Sequence, residues 1–99
     1  IEAKEIGGTC LNRGCIPTKA LIANAEILSH IRKAKDFGIQ VDGVKVNFSS
    51  MQKTKDDTVK GLKKSLEGLI LANNITIIRG YATFVGPHKL EVKGKDSCT

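Results

Sequence analysis

Gly7-Gly8-Thr9-Cys10-Leu11-Asn12-Arg13-Gly14-Cys15-Ile16-Pro17-Thr18-Lys19 is the stretch of this 99-residue chain whose reading decides the rest. Its two cysteines stand five positions apart. Along a regular α-helix, five steps of about 1.5 Å rise separate the Cα atoms by about 7.5 Å, past the roughly 7 Å at which a disulfide no longer closes. A bridge between them requires a distorted backbone. Gly14 permits such a distortion, and Pro17 limits how far upstream a regular helix extends through the pair. A strained, locally closed bridge is more readily reduced than a structural staple, which is the property a redox pair needs.

Other readings of the pair stay open on spacing alone. Half a zinc site would need a second pair of ligands, and the remaining Cys98, His30 and His88 have no ligand-like spacing, so no metal site is read. A disulfide of a secreted scaffold fits poorly with three cysteines in 99 residues. Two inert thiols are the default for cysteines at arbitrary positions.

Residues 1–19, which contain the motif, read as a strand end, a tight glycine turn and an irregular helix start. From Ala20 to Lys35 the pattern is helical, with Leu21, Leu28 and Ile31 able to share a buried face, and Gly38 ends it. Val44, Val46 and Phe48 alternate over too short a stretch to define a strand. Ser49 with Gln52 three residues later has the form of a capping box. Met51, Val59, Leu62, Leu66, Leu69 and Ile70 then carry an apolar stripe as far as Asn73-Asn74. Ile75-Thr76-Ile77-Ile78 is β-branched and nearly continuous, as expected of a parallel strand buried on both faces. Tyr81 to Val85 and Leu90 to Val92 flank Gly86-Pro87-His88, which reads as a hairpin turn. The expected order is a cysteine-bearing helix over 8–36, a second helix over 49–73, and a strand and hairpin over 75–93.

The formal charge of +6 raises nucleic acid or an anionic membrane as partners. Against both, the basic residues Arg32-Lys33-Lys35, Lys60-Lys63-Lys64 and Lys89-Lys93-Lys95 are spread along polar faces. The aromatics are three Phe and one Tyr, with no stacking array for single strands. A solvated surface is the expected reading. No apolar run approaches the roughly 20 residues that cross a bilayer, and no basic n-region precedes an apolar h-region. The chain opens on Ile1 and stops at Cys98-Thr99 without a closing element, so an interior piece of a longer protein is expected.

The motif resembles the redox-disulfide signature of the pyridine nucleotide-disulfide oxidoreductases, G-G-T-C-x-N-x-G-C-x-P-x-K, and every fixed position is matched. The resemblance extends over essentially the whole chain. It implies an α/β fold: part of a doubly wound, Rossmann-like FAD-binding domain, with two helices followed by a strand and a β-hairpin, all of residues 1–99 lying inside that domain. Leu11, Ile16 and Ala20-Leu21 resemble the branch that oxidises protein-bound dihydrolipoamide with NAD⁺. Glutathione and mercuric reductases, the alternative within the family, more often carry Val at Leu11 and Ile16. Arg13, where Val is common, departs from the usual pattern. A rival from another class is a basic, nonenzymatic nucleic-acid-binding module, which would show salt-dependent affinity for nucleic acid and no flavin.

By resemblance, Cys10 is the interchange thiol and Cys15 the thiol against the flavin. Glu2 matches the acidic residue that takes the adenosine ribose hydroxyls at a strand end. Gly7, Gly8 and Thr9 resemble the turn that approaches the cofactor phosphates and flavin. Lys19 matches the cation beside the reactive edge of the flavin, and Gly80-Tyr81-Ala82 the segment whose backbone meets the adenine. FAD is the implied cofactor, with NAD bound by a domain outside this chain. The implied partners are lipoyl domains of 2-oxo acid dehydrogenase complexes or of the glycine cleavage system, and a second copy in a homodimer. The implied location is the cytoplasm in a bacterium and the mitochondrial matrix in a eukaryote. His30 and His88 match no catalytic motif. Peptide mass mapping of the oxidised protein is expected to find Cys10 joined to Cys15 and Cys98 unpaired; a Cys98 crosslink to either motif cysteine would overturn the assignment.

Overall fold

The computed structural model describes residues 1–99 as two compact units, Thr9–Leu62 in one and Ile1–Gly8 with Lys63–Thr99 in the other. The elements along the chain are helix α1 (Gly8–Arg13), helix α2 (Cys15–Lys33), a 3₁₀ turn (Ala34–Phe37), helix α3 (Phe48–Ala72), and strands β1 (Tyr81–Gly86) and β2 (Lys89–Lys93). The expected α/β content and order of two long helices before a hairpin are both present.

In the unit Thr9–Leu62, the helix expected over 8–36 is divided. Gly14 sits between α1 and α2 with φ −118° and ψ −107°, outside helical geometry. The first backbone bond of α2 runs from Thr18 N–H to Gly14 C=O at 3.2 Å. Pro17 thus falls in the first turn of α2, where a missing N–H costs nothing. At the other end, Gly38 (φ 76°) takes the left-handed conformation and Ile39 N–H reaches back to Ala34 C=O at 3.0 Å. That pairing ends a helix without orphaning its last carbonyls. Residues 39–47 form no strand.

Helix α3 begins one residue earlier than expected, and its cap is different. Asn47 Oδ1 accepts the Ser50 N–H at 3.0 Å, the bond from an N-cap side chain to the third helical residue. Ser49 and Gln52 therefore lie inside the helix rather than forming its capping box. On the exposed surface, Lys53 Nζ donates to Asp57 Oδ2 at 2.7 Å, and that hydrogen bond and charge hold the Asp57 carboxyl below the usual carboxylate range. At its far end, within the other unit, Asn74 (φ 58°) carries the left-handed residue. Ile75 N–H bonds Ile70 C=O at 3.1 Å and Asn74 N–H bonds Leu71 C=O at 3.0 Å. Asparagine is the residue other than glycine that tolerates this position.

The apolar stripes are less covered than expected. Leu21, Leu28 and Ile31 of α2 are half-buried, while Leu62 and Leu69 of α3 are 42% and 61% exposed. The buried hydrophobic side chains are Ile6 and Val92. Units this small remove a limited fraction of their surface from water, so a helix stripe finds too little apolar area to close over it.

In the unit formed by Ile1–Gly8 and Lys63–Thr99, the strand expected over Ile75–Ile78 does not form. The segment contributes a single parallel bridge, Glu2 to Arg79, with Glu2 N–H donating to Ile78 C=O at 2.9 Å and Gly80 N–H to Glu2 C=O at 3.0 Å. Ile75 is 56% exposed rather than buried on two faces. A strand needs a run of successive bridges to a neighbour, and the chain about Glu2 offers one bridge. The hairpin is as expected: β1 and β2 pair antiparallel, with Gly86 opposite Lys89 across the two-residue Pro87-His88 loop and a bulge at Val85. Cys98 extends the sheet by one bridge, exchanging backbone hydrogen bonds with Val92 at 2.7 and 3.1 Å.

Arg79 ties this unit together. Its guanidinium donates to Glu67 Oε1 of α3 at 2.7 Å, its N–H to Asp96 Oδ2 at 2.8 Å, and its carbonyl accepts the Asp96 N–H at 2.9 Å. Beside it the backbone runs so close that a Cβ on Gly80 would lie 2.7 Å from Val92 Cγ1 and 2.8 Å from the Lys93 carbonyl oxygen. Removing the α3 cap with Asn47→Ala is expected to lower stability by about 1 kcal/mol, and Ser49→Ala by no more than a few tenths. Urea unfolding followed by far-UV circular dichroism checks both; equal losses would restore Ser49 as the cap.

Candidate functional site

The Cys10–Cys15 disulfide is formed, with the two Cα atoms 4.8 Å apart, against the roughly 7.5 Å of a continuous helix. The break at Gly14 makes up the difference. Cys10 lies in the middle of α1 and Cys15 is the first residue of α2, so the bond staples α1 to the start of the next helix. Both cysteines are exposed, and Cys98 is free and exposed. The helix start at Cys15 matters chemically. Unpaired backbone N–H groups at a helix N-terminus favour a thiolate there once the bond is reduced. Lys19, exposed and one turn along α2, shares the face of Cys15 and adds a cation on that side.

Of the residues singled out from the sequence, Thr9, Cys10, Cys15 and Lys19 belong to the unit Thr9–Leu62, and Glu2, Gly7, Gly8 and Ala82 to the unit Ile1–Gly8 with Lys63–Thr99. Gly7 (φ 106°) and Gly8 (φ 65°) turn the chain into α1 through two successive left-handed positions, which residues bearing a Cβ adopt only at a cost. Glu2 is half-buried, and its Oε1 accepts the N–H groups of Lys4 at 2.7 Å and Glu5 at 3.1 Å. Ala82 is exposed on β1 opposite Val92.

Two clefts lie at these residues, one in each unit. A cleft of about 240 Å³ is lined by Glu2, Ala3, Lys4, Arg79, Gly80, Tyr81, Gly94 and Lys95. A second, of about 360 Å³, is lined by Ile16, Lys19, Ala20, Ala23 and Asn24 of α2 with Thr54, Thr58 and Leu62 of α3. Asn24 Nδ2 is buried there with no hydrogen-bond partner, an arrangement that costs about 1–3 kcal/mol. The hydroxyls of Thr54 and Thr58 donate to the Ser50 and Thr54 carbonyls at 3.0 and 2.9 Å. Sequence reasoning passed over all three. The signal was present for Asn24, a polar residue three places after Leu21 and four before Leu28, on the apolar stripe itself.

Gly14 has a steric reason. A Cβ on it would lie 3.2 Å from Cys10 Cα and 3.2 Å from the Thr9 carbonyl oxygen, both backbone atoms. The oxidised ring holds that approach, whereas the reduced loop is free to relax. Gly14→Ala is therefore expected to shift the Cys10–Cys15 equilibrium with glutathione about fivefold toward the dithiol, roughly the 1 kcal/mol of a mild overpacking. A redox titration with mass readout measures it; an unchanged equilibrium would show that the contact is relieved without moving Cys10.

No protein-family model matches the chain. Among curated proteins, it is similar to a dihydrolipoyl dehydrogenase of Chlamydia pneumoniae, 48% identical over 98% of this chain and 21% of the relative. A mitochondrial dihydrolipoyl dehydrogenase of Schizosaccharomyces pombe is 47% identical over 92% of the chain and 18% of the relative. One from Bacillus subtilis is 38% identical over 97% of the chain and 21% of the relative. The chain thus spans about a fifth of the length of the curated relatives it matches. With the complete cysteine motif and the disulfide formed inside it, this similarity along nearly the whole sequence supports a fragment of a pyridine nucleotide-disulfide oxidoreductase.

Proposed function

We propose that these 99 residues are an interior part of the FAD-binding domain of a dihydrolipoyl dehydrogenase, which oxidises protein-bound dihydrolipoamide and reduces NAD⁺. The observation that carries this reading is the Cys10–Cys15 disulfide, closed across a helix break at the family motif in a chain whose relatives bear that name.

The residues present fit FAD. The smaller cleft combines the Glu2 carboxylate with the bare backbone of Gly80 and Gly94, an acceptor and a close-approach surface suited to a nucleoside. The larger cleft offers Lys19 and the unpartnered Asn24 amide, donors for an acceptor-rich ring. Glu2 would take the ribose hydroxyls, Gly7, Gly8 and Thr9 the phosphates, and the backbone at Ala82 the adenine. Cys10, Cys15 and Lys19 would meet the flavin side. When bound, FAD supplies the two-electron chemistry between the dithiol and NAD⁺.

The chain's own residues account for the thiol half of the reaction. A substrate thiolate attacks Cys10 Sγ, the Cys10–Cys15 bond breaks, and Cys15 leaves as a thiolate. The second substrate thiol then attacks the substrate sulfur of that mixed disulfide, releasing Cys10 and closing the substrate's own disulfide. Two electrons pass from the substrate dithiol to the protein dithiol. Position at the start of α2 and the Lys19 cation make Cys15 the better leaving group in the first step. Lipoyl domains of 2-oxo acid dehydrogenase complexes or of the glycine cleavage system would be the partners, and a homodimer the working form. Curated relatives include bacterial and mitochondrial proteins, and no helix here is long and apolar enough to cross a membrane. The proposed location is the cytoplasm of a bacterium or the mitochondrial matrix of a eukaryote.

In the full-length protein, NAD⁺-dependent oxidation of dihydrolipoamide is expected, falling at least about a thousandfold in Cys10→Ser and Cys15→Ser. His30→Gln and His88→Gln are expected to leave it unchanged. Turnover of glutathione disulfide or mercuric ion, without dihydrolipoamide oxidation, would overturn the substrate assignment and keep the family chemistry.

A further inference from the structure

A cleft of about 710 Å³ lies at the end of α2 away from the redox pair, within the unit Thr9–Leu62. At a rise of about 1.5 Å per residue, Arg32 stands about 25 Å along the helix from Cys15, so what binds there does not meet the sulfurs. The left-handed turn at Gly38 (φ 76°) builds the cleft by returning the chain toward α2, and Ile39, Val41 and Val44 line it together with Ile31. Two cations, Arg32 and Lys35, share that lining, and no carboxylate or aromatic ring does. Neither cation has an ion-pair partner. Of the charged groups flanking these residues in sequence, Lys33 and Lys45 are basic and Asp36 and Asp42 acidic; the Asp42 carboxylate accepts Gln40 Nε2 at 3.1 Å. Free carbonyls at a helix end repel an anion. Here they are occupied: Gly38 N–H donates to Lys35 C=O at 3.1 Å and Ile39 N–H to Ala34 C=O at 3.0 Å.

We propose that this cleft binds a free aliphatic carboxylate, its hydrocarbon chain against Ile31, Ile39, Val41 and Val44 and its head group at Arg32 and Lys35. Charge complementarity selects the head group: both charges in the lining are positive and unpaired, and a guanidinium matches a carboxylate with two parallel donors. The walls select the tail. Four aliphatic side chains offer a hydrocarbon chain apolar surface at about 25 cal/mol per Å² buried, and with no aromatic among them a base or other flat ring finds nothing to stack on. A neutral chain would leave the cations unused, and a small hydrophilic anion would leave the walls in water. The volume lies within the roughly 300–1,000 Å³ of small-molecule sites. This site goes beyond the dithiol reading and shares no residue with it.

The test is a titration of the full-length protein, labelled at its isoleucine and valine methyl groups, with hexanoate, hexan-1-ol and acetate, following Ile31, Ile39, Val41 and Val44 by NMR. Hexanoate is expected to shift these signals saturably, with an affinity about fivefold above that of hexan-1-ol, the worth of one or two exposed ion pairs. Acetate is expected not to saturate them. Arg32→Gln combined with Lys35→Gln should bring hexanoate down to the affinity of hexan-1-ol and leave the alcohol unchanged, which also reports that the cleft is intact. Val41→Ser should weaken both ligands alike, by about threefold. In the unmutated protein, raising the salt from about 0.01 M to about 1 M should narrow the preference for hexanoate, a check that needs no variant to fold. Equal affinities for hexanoate and hexan-1-ol in the unmutated protein, a preference that survives the double substitution, or methyl signals that neither ligand moves would each overturn the proposal. None of these readouts passes through Cys10, Cys15 or dihydrolipoamide, so this site and the proposed activity stand or fall separately.

Discussion

A covalent bond between residues five apart is the constraint on which the cysteine-bearing unit depends, and it exists because Gly14 interrupts a helix. With any regular path from Thr9 to Lys19 the sulfurs would be out of reach. Instead α1 stops at Arg13, the chain turns at a residue with no Cβ, and α2 starts at Cys15 with Pro17 already in its first turn. The glycine acts by having no Cβ, which would lie 3.2 Å from Cys10 Cα. The same break puts Cys15 at a helix start, where a thiolate is stabilised. Closure of the bond and activation of its sulfur thus come from one local event.

The other unit relies on close backbone approach and on Arg79. Gly80 and Gly94 come together closely enough that a Cβ on Gly94 would lie 2.7 Å from Gly80 Cα. Arg79, next in line, uses its side chain on Glu67 and both backbone groups on Asp96. Lys63 to Glu5, at 3.1 Å, adds a second partly exposed ion pair. Individually such pairs are worth little, and their role is to fix direction: they hold the chain leaving α3 beside Glu2 and at the root of the hairpin. That arrangement brings the Glu2 carboxylate, the Gly80 backbone and Gly94 around one cleft.

Local chemistry was readable in the sequence wherever one or two residues decide the outcome. The glycine turn before α1, the stop at Gly38, the end of α3 at Asn73-Asn74, and a hairpin turn within Gly86-Pro87-His88 are all of this kind. The Asn47 cap was missed because Ser49-x-x-Gln52 satisfies the same pattern, and the choice between two adequate caps depends on where the helix's first turn actually packs. The cysteine motif was readable in full, because nine fixed positions within thirteen residues carry its restraints together.

What the sequence by itself determined, then, is the pairing potential of Cys10 and Cys15 and the order of two long helices before a hairpin. Each follows from steric and hydrogen-bonding preferences acting within a few residues. The tertiary structure alone decided which apolar stripes are covered, whether Ile75–Ile78 finds a ladder, that Arg79 rather than a hydrophobic cluster organises its unit, and that Asn24, Thr54 and Thr58 come to line one cleft with Lys19. These depend on which surfaces distant segments bring into contact. A strand's burial and an amide's missing partner are properties of its neighbours, and no periodicity in the strand or helix specifies them.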